Sequence, residues 1–503
     1  MALQWPEHLK LPETSTVRPP HLEISPSGVR RWLASVPYAH ATQLTEALLE
    51  QAQTLNHYSL SGTQRAAVLT AYREPLAYLH EYLEHNLARK PQDSFCDRLG
   101  QLYQTLAIGQ LQVLHDSLPT RTLWGGQNSS AQALAGAMLF QLEQIQLAMQ
   151  YYAPCPLACR WFHALYQLAE VADWLEQPVP HPWQEQTFIR AGQIYQSYLL
   201  LILIDPYRFS PQEQHRLQQL LPQCAAQVEL LPLTVPRPAV GHFWVDMTAE
   251  QALQAHAPLK AAIADAQRYR LLSTANLVQQ LETQVRQSEP EQAAFLQRLA
   301  RAWKLKPQRR TLRSRQQQVL LGTYGLSAIY PLLGGVALSE FSENPQDHDI
   351  QAVGAYGFQT LAISEPQRWR AEGRHTEGAQ LYVPLPAPNL GVGQLVSLRT
   401  EAETLWQVGM VRWQRNLTAH QLSIGVQLLP GSPAPVALRY REQCYFALHL
   451  PGFQLLTAKG LYQMTRGLTL MQQPGQFQSI RADKLLEASG YYERFTYKTL
   501  ENF

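Results

Sequence analysis

Charge is scarce in this 503-residue chain, because Asp, Glu, Lys and Arg together make up only 16% of it and the formal net charge is +2. Hydrophobic residues make up 46% of the chain, which is enough for globular cores and excludes a disordered polyelectrolyte. A chain of this length is too long for one compact core, so we expect at least two domains.

Cysteine is also rare, with five residues scattered along the chain. An odd and dispersed set does not suit a disulfide framework, which favours a reducing compartment. The N-terminal sequence lacks the basic and apolar regions of a secretory signal, and the most apolar run, residues 198–204, is far too short to cross a membrane. We therefore predict a cytoplasmic protein without a membrane span.

The motifs of common enzyme classes are missing from the sequence: HExxH, G-x-S-x-G, GxxxxGK[ST] and a complete GxGxxG. The nearest candidates for a metalloprotease pair, His80 and His85, are five positions apart and do not share a helical face well. Cys155 and Cys159 have helical spacing and no second cysteine pair, so we interpret them as small buried residues. The sequence predicts a protein that is not an enzyme and has no metal site or cofactor.

The first three fifths of the chain have the patterns of a linker followed by helices. Five prolines among the first 26 residues predict an extended arm or linker at 1–26. Apolar residues at helical spacings then predict a helical domain at 27–226 and a second helical segment at 247–306, which leads into a basic linker. Between these segments, β-branched and aromatic residues at 227–246 favour a hairpin-like connection.

The sequence becomes β-rich after residue 307. Several short strand candidates separated by turn residues predict a small antiparallel β-barrel at 307–450. Alternating and β-branched runs then predict a β-rich C-terminal extension at 451–503. The predicted fold class is α+β multidomain, with an all-α N-terminal region followed by a small barrel and its β-rich extension.

A basic run adjoins the predicted barrel. Residues 296–315 contain eight Lys and Arg residues, and no Asp or Glu occurs between Glu291 and Glu340. An arginine guanidinium can fork onto a phosphate or onto the O6/N7 edge of guanine, and it can stack on a base. The run therefore predicts an anion site, with a solvated basic linker as the alternative.

Within this run, Arg309 and Arg313 form an RxxxR element directly before the β-rich region, and strand candidates follow at 392–396, 406–413 and 422–429. This arrangement resembles the PilZ family. The resemblance implies a loop in which Arg309 and Arg313 wrap bound cyclic-di-GMP against the barrel. In a different register of the loop, Arg310 or Arg315 would take over the role.

A second ligand motif of that family reads Asp or Asn followed by x-S-x-x-G, and by position it falls on residues 373–378. Only Gly378 matches it, because Gly373 stands at the Asp/Asn place and His375 at the serine place. The resemblance makes Arg374, His375 and Gly378 further candidates for ligand contact. For His375, donation to a phosphate or stacking on a base competes with a simple surface-loop role.

Two functions remain open at this point. The first is a cyclic-di-GMP receptor whose arginine loop couples the ligand to a helical half that binds a protein partner. The overall arrangement also resembles multidomain PilZ-type proteins, which implies type IV pilus machinery as the partner and a role in motility or surface attachment. The second is a scaffold whose barrel no longer binds nucleotide. Binding of nucleic acid is disfavoured because the rest of the chain supplies no extended positive surface.

Overall fold

The computed structural model describes most of the chain as helices and strands. The described residues are 5–37, 40–86, 93–118, 126–151, 153, 158–232, 240–249, 268–304, 317–341, 365–375, 377–387, 389–418, 420–441, 443–463 and 467–500. The chain divides into two compact units. The first comprises Met1–Pro206, Pro211–Ser288 and Phe295–Pro307, and the second comprises Tyr207–Ser210, Glu289–Ala294 and Gln308–Phe503.

Helices dominate the first part of the chain. They are α1 (Pro26–Leu33), α2 (Ala41–Asn56), α3 (Gly62–Thr70), α4 (Arg73–Asn86), α5 (Asp93–Ser117), α6 (Gly126–Gln150), α7 (Cys159–Ala172), α8 (Ala191–Ile204), α9 (Pro211–Ala225), α10 (Ala275–Gln287) and α11 (Pro290–Lys304), with a 3-10 turn at Pro206–Arg208. None of the described helices combines the length and the apolar character that a membrane crossing needs.

Local sequence explains how these helices begin and how they are tied together. At the start of α1, the Ser25 hydroxyl accepts a hydrogen bond from the Gly28 N–H at 3.2 Å, as in a helix N-cap. Between α2 and α5, the Asn56 side chain donates to the Thr105 carbonyl at 2.8 Å, and Gln112 donates to the Asn56 carbonyl at 2.7 Å. The Gln112 amide satisfies a backbone carbonyl at the end of α2, and the two hydrogen bonds together fix α2 on α5.

Two small sheets accompany the helices. Strands β1 (Val179–Pro180) and β2 (Phe188–Ile189) pair with each other, and β3 (Glu229–Pro232), β4 (His242–Asp246) and β5 (Tyr269–Ser273) form a three-stranded sheet in the order β3-β5-β4. The two strands within residues 227–246 therefore each pair with β5 and not with each other. The buried Leu271 and Leu272 of β5 supply the centre of this sheet.

The second unit contains two closed antiparallel barrels of six strands each. The first barrel has the strand order β10-β11-β8-β7-β6-β9, and the second has the order β12-β13-β14-β17-β16-β15. The strands are β6 (Gln318–Tyr324), β7 (Gln367–His375), β8 (Gly378–Pro384), β9 (Leu395–Arg399), β10 (Gln407–Thr418), β11 (Gln421–Leu428), β12 (Ala434–Tyr440), β13 (Gln443–Leu450), β14 (Gln454–Ala458), β15 (Gly467–Gln473), β16 (Gln476–Ala488) and β17 (Tyr492–Thr499). Helix α12 (Leu326–Leu332) and a 3-10 turn at Leu338–Phe341 follow β6.

These elements confirm the predicted α+β multidomain fold, in which a helical N-terminal region precedes a small antiparallel barrel and further β-structure. The range 307–450 contains the complete first barrel together with β12 and β13, which hydrogen-bond to the strands that follow them. The β-structure after residue 428 is thus a closed barrel with its own apolar core.

An apolar cluster, which we call the inter-barrel cluster, joins the two barrels. It includes Val408 and Met410 from β10 and Phe446 and Tyr492 from the second barrel, all 9% exposed or less. Burial of this much apolar surface stabilises the pair of barrels as one unit.

Candidate ligand-binding site

The arginines of the predicted loop, Arg309, Arg310, Arg313 and Arg315, lie outside the described residues. The described chain stops at Lys304, the end of α11, and resumes at residue 317, directly before β6. Their role as ligand contacts therefore stays a prediction.

The other candidates, Arg374, His375 and Gly378, come together at the end of the β7-β8 hairpin of the first barrel. His375 is the cross-strand partner of Gly378, and Arg374 is the partner of Ala379. Gly378 also pairs with Gln427 on the neighbouring strand β11. The hairpin thus brings these three sequence-predicted residues to one place on the barrel.

Arg374 forms an ion pair with Glu403, which lies between β9 and β10 of the first barrel. Its Nη2 lies 3.2 Å from Oε1 of Glu403 and donates to Oε1 of Gln407 at 2.9 Å. Burial raises the pKa of Glu403, but hydrogen bonds from the Thr400 N–H and from Arg374 outweigh it, so this pKa lies below its ordinary value. A ligand phosphate would have to compete with Glu403 for the Arg374 guanidinium.

The ring of His375 is oriented by the turn that follows it. Its Nδ1 accepts a hydrogen bond from the Glu377 N–H at 3.3 Å. In the neutral ring the proton then sits on Nε2, which leaves Nε2 as a hydrogen-bond donor. His375 can therefore donate a hydrogen bond at the place where the second motif has a serine hydroxyl.

Gly378 is required by the close approach of the neighbouring strand. A Cβ atom at this position would lie 2.6 Å from the carbonyl oxygen of Val426 on β11. Because the obstructing atom belongs to the backbone, it cannot rotate away. Packing therefore explains this glycine without any ligand.

We expect Gly378→Ala to lower the free energy of unfolding by about 1–3 kcal/mol, because the strands would have to separate to admit the methyl group. Urea denaturation measures the change. Gly490→Ala is the matched control, since a Cβ there meets no atom within 4 Å. Equal effects of the two substitutions would show that the contact with Val426 has no energetic weight.

The sequence analysis missed a row of residues on the outer face of β7. In this strand Trp369, Ala371 and Gly373 are buried in the barrel, while the alternate residues Arg368, Arg370, Glu372 and Arg374 face outwards. The period-two pattern of the sequence could have revealed this row. It places three arginines and a carboxylate on the wall of the barrel beside the candidate hairpin.

Two further predictions from the sequence concern metal binding and the cysteines. Within the described part of the chain, no group of three or more His, Cys, Asp or Glu residues is arranged to hold a metal ion. Cys159 is a free, buried cysteine, and Cys155 lies outside the described residues.

Comparison with known proteins finds that the sequence is similar to that of a cyclic-di-GMP receptor. Residues 27–236 match a family model described as "Cyclic-di-GMP receptor FimW, N-terminal domain". A curated relative from Pseudomonas aeruginosa strain PAO1, named "Cyclic-di-GMP receptor FimW", is 21% identical over 542 residues of alignment, which cover 90% of this chain and 84% of the relative. No solved structure matches the chain. The helical region from α1 to β3 is therefore similar to the N-terminal domain of a cyclic-di-GMP receptor.

Proposed function

We propose that this protein is a non-enzymatic receptor for cyclic-di-GMP, whose basic run holds the dinucleotide against the first barrel. The observation that carries the proposal is the similarity of 90% of the chain to a relative named as a cyclic-di-GMP receptor. That similarity extends beyond the helical region matched by the family model and therefore includes part of the β-rich region.

The chemistry of the basic run suits this ligand. A cyclic dinucleotide presents two phosphates and two guanine bases, and arginine can bind both kinds of group. Arg309, Arg310, Arg313 and Arg315 have no Asp or Glu nearby in the sequence to neutralise them. Arg313 is five residues before Gln318, the first residue of β6, so the chain keeps it within about 18 Å of the barrel.

The position of the basic run also supports a role in signalling. It connects α11 to β6, so a ligand bound to it acts on the link between the helical region and the barrels. Such a change transmits a signal only if the ligand binds one arrangement of the chain better than another. We infer that the helical region binds a protein partner, with type IV pilus machinery as the candidate and motility or surface attachment as the process.

A second candidate function is a scaffold whose barrel has lost nucleotide binding. Gly373 and His375 at the Asp/Asn and serine places of the second motif favour it. The ion pair between Arg374 and Glu403 favours it too, because it occupies a guanidinium that a phosphate would otherwise take.

Isothermal titration with cyclic-di-GMP at near-physiological salt tests the receptor proposal. We expect saturable binding by the wild-type protein and a loss of at least about 100-fold in affinity for Arg309→Ala/Arg313→Ala, because each hydrogen bond to a charged group contributes about 1.5–3 kcal/mol. The matched control is Arg216→Ala/Arg286→Ala, which removes the same charge from exposed positions of α9 and α10 outside the basic run.

The outcomes separate the two functions. If the folded wild-type protein does not bind, the receptor proposal fails and the scaffold remains. If both double variants lose affinity equally, general charge attraction replaces the arginine loop as the explanation.

A further inference from the structure

One arginine on the outer face of β7 differs from its two neighbours. Arg368 pairs with Glu401 at 2.9 Å, and Arg374 pairs with Glu403 at 3.2 Å. Arg370 lies between them and makes no ion pair with any carboxylate among the described residues. Its side chain is exposed on the barrel wall.

Arg370 lies instead over an aromatic ring. Its guanidinium carbon is 4.8 Å from the centre of the Tyr382 ring, and the two residues are cross-strand partners on β7 and β8. The ring face holds the planar guanidinium by a cation–π contact. The pair therefore presents a flat, positively charged surface.

A carboxylate completes the group. Glu372 lies two residues beyond Arg370 on the same outer face, and its Oε2 accepts a hydrogen bond from the Tyr382 hydroxyl. This hydrogen bond is the main reason that the pKa of Tyr382 lies above its ordinary value. A carboxylate has about four lone-pair sites, so Glu372 can accept further hydrogen bonds while it orients the phenol.

The barrel holds these three side chains on rigid strands. Trp369 and Ala371, which alternate with Arg370 and Glu372 along β7, are 1% and 0% exposed in the barrel core. Glu372 lies at a β-bulge between Ala371 and Gly373, and the cation–π contact and the hydrogen bond with Tyr382 arrange the three groups before any ligand arrives.

The three groups complement guanine more closely than the other bases. An aromatic ring and a guanidinium provide stacking surfaces for a base. Guanine also carries N–H donors at N1 and N2, which a carboxylate accepts. Adenine has an acceptor at N1, so the same carboxylate disfavours adenine.

We propose that Arg370, Tyr382 and Glu372 form a guanine subsite on the outer wall of the first barrel, an inference that rests on the proposed receptor function. One base of the cyclic dinucleotide stacks on the Tyr382 and Arg370 pair. Glu372 accepts from its N1 and N2 groups.

The test compares cyclic-di-GMP with cyclic-di-AMP by isothermal titration on the full chain. We expect Arg370→Ala and Tyr382→Leu each to weaken cyclic-di-GMP binding about tenfold, the scale of one lost base-stacking contact. Glu372→Gln is expected to reduce the preference for cyclic-di-GMP over cyclic-di-AMP about tenfold. Arg368→Ala is the matched control on the same strand, with affinity within about twofold of wild type.

The possible results distinguish the guanine subsite from the receptor function as a whole. Wild-type binding with unchanged affinity in Arg370→Ala and Tyr382→Leu overturns the subsite and leaves the receptor standing. Equal losses in Arg368→Ala and Arg370→Ala also overturn it, because charge alone then explains binding. A wild-type protein that binds neither dinucleotide overturns the subsite and the receptor together. If Tyr382→Leu does not fold, the exposed Arg370→Ala and Glu372→Gln variants decide.

Discussion

Trp369→Ala is expected to lower the free energy of unfolding of the second unit by about 3–5 kcal/mol. Trp369 is 1% exposed and packs in the core of the first barrel with Leu320 and Leu381. Its indole also fills the space above Gly322, where a Cβ atom would lie 2.4 Å from the ring. Removal of the indole leaves a cavity that closed strands cannot collapse to fill.

Urea denaturation followed by far-UV circular dichroism measures this loss, because the far-UV signal does not depend on tryptophan fluorescence. Trp369→Phe is the control, since it keeps an aromatic ring in the cavity and should cost less than the alanine variant. A loss below about 1 kcal/mol for Trp369→Ala would contradict the packing described for the barrel, because truncation of a core tryptophan to alanine typically costs about 3–5 kcal/mol.

Arg65→Ala is expected to destabilise the helical unit by about 3–5 kcal/mol, because two charge-assisted hydrogen bonds disappear from a buried place. Arg65 is 2% exposed, and its Nη1 and Nη2 donate to the carbonyls of Leu55 and Tyr58 at 2.7 and 2.8 Å. The Leu55 carbonyl lies in the last turn of α2, where a cation is favourable, and the Tyr58 carbonyl follows directly after the helix. Burial lowers the pKa of Arg65, and the charge of Asp116 partly opposes this shift.

Guanidinium denaturation monitored at the helical circular dichroism band tests this prediction. Arg98→Ala is the matched control, since Arg98 is exposed and lies 3.8 Å from Glu46, and it should change stability by no more than about 0.5 kcal/mol. Arg65→Lys keeps the charge but lacks the planar fork, so it should lose part of the stability. Equal losses for Arg65→Ala and Arg98→Ala would show that the two buried carbonyls find other partners.

Local pattern was sufficient to predict much of the fold. The strand predicted at 422–429 is confirmed as β11 (Gln421–Leu428), whose Leu422, Ile424 and Val426 lie in the barrel core. The strand predicted at 406–413 corresponds to the start of β10. Such strands are visible in sequence because short runs rich in apolar and β-branched residues are typical of buried strands.

The pairing of strands that are distant in sequence could not be predicted from the hydrophobic pattern. The closure of a second barrel requires β12 to pair with β15 and β14 with β17, and alternation does not specify which strands become neighbours. The contacts within the candidate site could not be predicted from the sequence for the same reason. The contact of Arg374 with Glu403 spans 29 positions in sequence, and that of Arg370 with Tyr382 depends on the register of the hairpin.

The inter-barrel cluster has a consequence for how this part of the chain can be inherited. A recombination event that transferred only the first barrel would expose Leu395, Val408 and Met410, which the second barrel now covers. A freshly exposed apolar patch of this kind promotes aggregation. We therefore expect the two barrels to be exchanged together, as a single unit of inheritance.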